Sequence, residues 1–296
     1  VLSVPLKSSL LTLIELPLVD EKKLQQMIEI EARKYIPVPM SEVVLDYSII
    51  PKNDFSEGPD ATPKEESKPA QGGALADTAK KIENIEILVA AMHKSVLSTY
   101  GEIINKAGLK VDTSLEIETF SAARAILGND ISASAIIDIG ASATRLLIVD
   151  YGVMRTAHSI GKGSQDISLA LSKSLSLSFV QAEEAKKRLG AIGKAEGGDL
   201  SNVVNPTLEY IFYEAQKILL AYQKKYSRSI SKVVLVGGGA LLKGINKIAT
   251  DHLEMKTEIG NAFKKVEAPA FIETMLQETG SGFAVAVGLA LRGLSE

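Results

Sequence analysis

The sequence predicts an α/β fold, and three glycine-bearing junctions carry that prediction. At 135–150, AIIDIGASATRLLIVD, an apolar strand runs to Asp138, turns on Gly140 and enters a second apolar strand. At 232–236 a β-branched strand ends in Gly237, Gly238 and Gly239 and leads into a helix expected from Ala240. Between them, Gly161 and Gly163 flank Lys162 just before a helix that Ser164 can cap. Strands that alternate with helical patterns through glycine turns belong to the α/β class.

Taken in order, the chain first offers a strand at 10–16, stopped by Pro17. Asp20 caps a helix whose Leu24, Met27, Ile28 and Tyr35 recur at helical spacing, and Pro37 and Pro39 end it. A strand follows at 43–50. Between Pro51 and Lys81, Pro, Gly, Ser, Ala and charge dominate and Phe55 is the one aromatic, so this stretch is expected to be a disordered loop, with partner binding an open alternative. A buried strand at 85–92 and an amphipathic helix at 93–107, closed by Gly108, complete a unit of about 110 residues. A helix is expected at 115–127, ahead of the hairpin.

Beyond the hairpin, the helix from Ser164 is expected to reach Leu175. Ser178 and Gln181 form a capping box for a second helix, which carries Glu183, Lys186 and Lys187 and ends at Gly190. A polar loop at 194–202 precedes a long helix opened by Asn205 and Pro206, with Leu208, Ile211, Phe212, Ala215, Ile218 and Tyr222 on one stripe. The last element, 283–294, is a helix of small residues able to pack closely.

Composition excludes several functions. With 46% hydrophobic and 23% charged residues the chain is globular, and a net charge of -3 gives no basic face for nucleic acid. No cysteine is present, and His93, His158 and His252 have no ligand spacing. No apolar run reaches the length of a membrane span.

The chemistry concentrates at the junctions. Asp138 stands where its strand runs out, Ser142 and Thr144 offer hydroxyls, and Gly140 lets backbone approach a phosphate; a plain core hairpin is the alternative. Gly161, Gly163 and the following helix start suggest an anion site. Gly237, Gly238 and Gly239 allow a planar ring or a phosphate against bare backbone, although Leu242 breaks the dinucleotide fingerprint. As an isolated feature, the Glu183 to Lys187 run reads first as a solvated face. No nucleophile and no acid and base pair stand out, so no catalytic residue is assigned.

These junctions, in this order and with the Glu183 and Lys186 helix, resemble the nucleotide-binding set of the actin, heat-shock chaperone and sugar kinase superfamily. IIDIGASATRLLIV resembles its second phosphate hairpin, VVLVGGGALLKGI its adenosine motif, and FAVAVGLALRGL the helix connecting its lobes. By that resemblance Glu183, Lys186 and Lys187 lie where members contact ribose and adenine. ATP and Mg2+ are the implied cofactors, with Asp138 on the metal side. More narrowly, LTLIELP, EARKYIPVPMSEVVLDYSII, the AGL ending at Leu109, EIETFSAARAI and IDIGASATRLLIV resemble the PilM family of type IV pilus assembly, over essentially the whole chain.

The resemblance implies an actin-like two-lobe fold on ribonuclease H-like cores. Residues 1–112 would be an inserted subdomain of the FtsA and PilM kind with its loop at about 51–81, and 113–130 a helix of the first lobe. Residues 131–290 would be the second lobe, with a nucleotide core at 131–165 and 231–260 and a smaller subdomain at 166–230; 283–296 would connect the lobes. The family opens with a first phosphate hairpin of the form DIGSSS, which does not precede Val1, so a triphosphate is expected to be contacted from one side only. Chaperones carry a second aspartate at the hairpin where this chain has Arg145, which favours binding with little or no hydrolysis.

The implied function is an ATP-binding cytoplasmic scaffold. It would hold the N-terminal peptide of a PilN-like bitopic inner-membrane protein in a groove beside the inserted subdomain, linking the membrane platform to other platform and motor components. Whether it self-associates as a homo-oligomer stays open. A filament former of the FtsA kind and a small-molecule kinase are the alternatives.

Overall fold

A computed structural model describes residues 1–50, 84–109, 115–191, 194–195 and 198–294. The first elements are strand β1 (Leu2–Val4), β2 (Ser9–Pro17), helix α1 (Glu21–Ala32), β3 (Val43–Ile50), β4 (Asn84–His93) and α2 (Lys94–Lys106). Then come β5 (Leu115–Ile117), α3 (Glu118–Ile126), β6 (Ser134–Ile139), β7 (Thr144–Asp150), β8 (Val153–Ile160), α4 (Ser164–Leu175) and α5 (Phe179–Leu189). The remainder is β9 (Lys194–Ala195), β10 (Gly198–Asp199), α6 (Ser201–Tyr226), β11 (Lys232–Val236), α7 (Ile245–Leu253), β12 (Thr257–Ile259), α8 (Ala270–Thr279) and α9 (Ala284–Gly293).

The chain divides into two compact units, Leu11–Ala91 and Val1–Leu10 with Met92–Glu296. In the smaller, three strands pair in the order β2-β4-β3. Asp20 caps α1 by accepting the Lys23 N–H at 3.1 Å, and the helix buries Leu24, Ile28 and Ala32 at helical spacing. β4 buries Ile85, Ile87, Leu88, Val89 and Ala91, the near-continuous pattern of a central strand. The sequence set the edge of this region at residue 112; the compact unit closes at Ala91, and α2 goes with the larger one.

The larger unit is built on a five-stranded sheet in the order β12-β11-β6-β7-β8. β11 runs parallel to β6 and β12, while β6, β7 and β8 are successive antiparallel neighbours. Both faces of the sheet are covered, which is why β6 is buried at every residue. On one face Ile137, Leu146, Ile148, Val233 and Leu235 pack with Leu171 of α4, Phe212 and Leu219 of α6 and Ala249 of α7. On the other, Ile136, Leu147, Val149, Val234 and Val236 meet Ala122 and Ala125 of α3 and Ala284 and Val287 of α9.

Several expectations change. Residues 115–117 are not helical: they form β5, whose Leu115, Glu116 and Ile117 pair in parallel with Leu2, Ser3 and Val4. Local propensity cannot reveal a pairing across more than a hundred residues. The stretch after Asp150 holds β8, reached through Tyr151 and Gly152 at φ 54 and 73, the left-handed pair a two-residue hairpin needs. Gly163, not Ser164, is the N-cap of α4. α6 starts at Ser201, so Pro206 lies inside it, and β9 and β10 pair within the expected polar loop. Helix α7 begins at Ile245 rather than Ala240, because Gly238–Leu241 makes a 3-10 turn and Gly244 sits at φ 89. The proposed disordered loop at about 51–81 lies outside the described residues.

Candidate functional site

The turn between β6 and β7 lies at the end of the central strand, where the neighbouring β11 also ends. Val236 is the register partner of Asp138, so the three-glycine segment leaves the sheet directly beside that aspartate. Gly237 has φ 85, and a Cβ there would overlap Asp138 Oδ1; a Cβ on Gly239 would overlap the Ile139 side chain. Those two glycines thus serve close approach between the protein's own segments. Gly238 is exposed and meets nothing within 4 Å, so bare backbone is offered there to a ligand.

The second junction closes on the same turn. The N–H groups of Ser164 and Gln165 donate to the carbonyls of Gly140 and Ala141 at 2.9 and 2.8 Å, and a Cβ on Gly163 would overlap the Ala141 carbonyl. The Gly163 N–H donates to Asp166 Oδ2 at 2.9 Å. The Thr144 hydroxyl donates to the Lys162 carbonyl at 2.8 Å. This corrects the expected anion site at Gly161 to Gly163: the donors of the α4 start are spent on the hairpin turn and on Asp166. Thr144 likewise secures the loop rather than a ligand. Gly161 is exposed and away from other atoms. What the turn leaves open are Ala141 and Ser142, both exposed, whose N–H groups have no partner among the described residues.

The charged helix α5 divides as well. Lys186 is only 6% exposed. Its Nζ contacts Ser164 O at 3.0 Å, Ser168 Oγ at 2.9 Å and Glu183 Oε2 at 2.7 Å. Three donors and three acceptors leave this ammonium nothing for a ribose. Glu183 Oε2 also accepts from Ser168 Oγ at 2.5 Å, so the pair ties α5 to the start of α4. Lys187 is exposed and 3.6 Å from Glu183 Oε1.

Two residues that sequence reasoning did not place in the site complete it. Arg145 faces Asp138 across the antiparallel ladder, with Nη1 3.4 Å from Oδ2. Its Nε lies 2.5 Å from Oε1 of Glu118, at the start of α3, and the same oxygen accepts the Leu6 N–H at 2.9 Å. Burial raises the Asp138 pKa above the ordinary carboxylate value; the Arg145 guanidinium opposes that rise and the Glu118 charge adds to it. Glu118 opens the helical run ETFSAARAI, which gives no hint that it reaches the hairpin.

These residues do not fit a magnesium ion at Asp138. A divalent ion on that carboxylate would stand roughly 4 to 5 Å from the guanidinium, a repulsion on the order of 7 kcal/mol at an effective dielectric near 20. Among the described residues, no three His, Cys, Asp or Glu side chains gather to hold a metal ion. The exposed turn and Gly238 do fit a phosphate-bearing ligand held by backbone and arginine.

A family model described as type IV pilus assembly protein PilM matches residues 73–294. A solved structure described as the PilM-PilN type IV pilus biogenesis complex is 25% identical with a TM-score of 0.75, covering 97% of this chain and 76% of that one. MreB 5 of Spiroplasma citri bound to AMPPNP is 17% identical with a TM-score of 0.50, over 68% of this chain and 64% of that one. The cell division protein FtsA of Bacillus subtilis is 23% identical over 255 residues, 78% of this chain; the chain thus spans about half, 54%, of that relative's length. These likenesses identify the architecture as the actin-like fold expected from the sequence. With the greater part of the chain matched by the family model, the protein belongs to the type IV pilus assembly protein PilM family.

Proposed function

We propose that this chain is an actin-like scaffold of the type IV pilus assembly platform, and that it holds the N-terminal cytoplasmic peptide of a PilN-like inner-membrane protein. The observation that carries the reading is the match to the PilM-PilN complex, which extends over 97% of the chain at a TM-score of 0.75. Among the described residues no helix is long and apolar enough to cross a membrane. Placement at the inner membrane face would come through the partner. ATP is the proposed ligand of the β6 to β7 turn and Gly238, bound with little or no turnover. In support, the carboxylate that would direct a metal is paired with Arg145.

The test is fluorescence anisotropy with a labelled peptide copied from the N terminus of a PilN-like protein of the same organism. Saturable binding in the micromolar range, absent for a scrambled peptide, is the expected result; no binding up to millimolar peptide would sink the proposal. The FtsA likeness supports a second reading, a polymerising protein. Sedimentation with ATP discriminates, since only that reading expects pelleted polymer.

A further inference from the structure

We propose that Arg145 is the resident cation of the phosphate hairpin, so that this protein binds a nucleoside triphosphate without a divalent metal ion. The inference rests on the nucleotide reading above and adds what neutralises the phosphates. Hairpins of this kind bring polyphosphate against backbone N–H groups, and a tri-anion needs a counter-charge close by. Here that charge is built into the chain. Arg145 keeps 21% of its side chain exposed and stands next to the turn: a Cβ on Gly140 would lie 3.2 Å from its Nη1. Asp138 and Glu118 hold the planar group at the mouth of the hairpin, where the open N–H groups of Ala141 and Ser142 lie. The 3.4 Å contact to Asp138 is long for a charge-assisted bond, so one Nη group can turn to a phosphate while Nε keeps its bond to Glu118. A guanidinium suits this task because its fork of donors matches phosphate oxygens two at a time. The same guanidinium keeps a metal ion off Asp138, so the two ways of neutralising phosphate exclude each other at this carboxylate.

Calorimetric titration of ATP into the full chain, once in excess EDTA and once in excess magnesium, tests the proposal. Equal affinity in the two buffers is expected. Arg145→Gln should weaken ATP binding in EDTA by ~10-fold or more, the loss of one charge-assisted contact, and Arg145→Lys should recover part of it. Melting curves for both variants report whether they fold, and the parent's EDTA titration decides the matter if they do not. Binding that appears only with magnesium overturns the inference and leaves the nucleotide reading standing. Undiminished binding by Arg145→Gln also overturns it. No ATP binding in either buffer overturns both.

Discussion

Asp138 is held in the fold at a cost. Its carboxylate is buried, its pKa lies above the ordinary value of 3.8, and burial is the largest cause. The sign follows from linkage: with the folded value raised, the favourable contribution is complete below 3.8 and is lost as pH rises through the folded value. At neutral pH the charge therefore works against stability despite Arg145. Asp138→Asn should leave the melting temperature unchanged or raise it by about 1–2 °C at pH 7, with the difference shrinking toward pH 3.5. A clear loss at pH 7 would mean that the pair with Arg145 outweighs the burial. By contrast, Asp150 is a structural carboxylate: it accepts the Tyr222 hydroxyl at 2.9 Å and both Nε and Nη2 of Arg228 at 3.2 and 2.8 Å. Sequence could point to Asp138 because a carboxylate at a strand end beside glycines is a local pattern. It could not show that Arg145 and Glu118 bracket it, because that depends on ladder register and on where α3 docks. Nor could it show that Lys186 closes on Ser164 and Ser168, since a charged run looks the same whether its lysine faces solvent or the protein.

Among the elements, α3 and α9 cross where Gly288 has no side chain. A Cβ there would overlap the Ser121 carbonyl, and the Arg124 guanidinium donates to the Gly288 carbonyl at 3.0 Å. Gly288→Ala gains helix propensity but drives one backbone off another, and overpacking of this kind costs about 1–3 kcal/mol. The net expectation is a loss of ~1 kcal/mol or more in urea unfolding. Gly101→Ala in α2 is the matched control: nothing lies within 4 Å of its would-be Cβ, so the change should stabilise by about 0.5–1 kcal/mol. Equal effects at the two positions would refute the close-approach account. The small-residue composition of α9 already suggested tight packing, and the strands at 43–50 and 232–236 were readable end to end from β-branched runs. Several of the missed elements lack a local signal. β1, β5 and β12 are three residues each and exist through pairing with distant partners, and the exposed α8 buries none of its residues and so lacks a clear apolar stripe.

At the scale of the whole molecule, the proposed scaffold has two ligands, a nucleotide and a peptide, and the question is whether they communicate. A ligand shifts a conformational equilibrium only to the extent that it binds one state better than another. If ATP favours the state that takes the peptide, the peptide must favour ATP by the same factor, and couplings of this type run from about 5- to 150-fold. The contacts of Glu118 offer a route at the nucleotide end: Oε1 receives both the Arg145 guanidinium and the Leu6 N–H, so a phosphate that takes up part of the guanidinium charge through Nη changes the field at the oxygen that also holds the start of the chain, while the Nε bond persists. The peptide dissociation constant should therefore fall at least ~5-fold in saturating ATP, and the ATP constant should fall by an equal ratio in saturating peptide. Glu118→Gln, which keeps an acceptor for Leu6 but removes the charge facing Arg145, should reduce that ratio toward one while each ligand still binds. A ratio of one in the unaltered protein would mean that nucleotide and peptide bind independently, leaving ATP no part in controlling the partner.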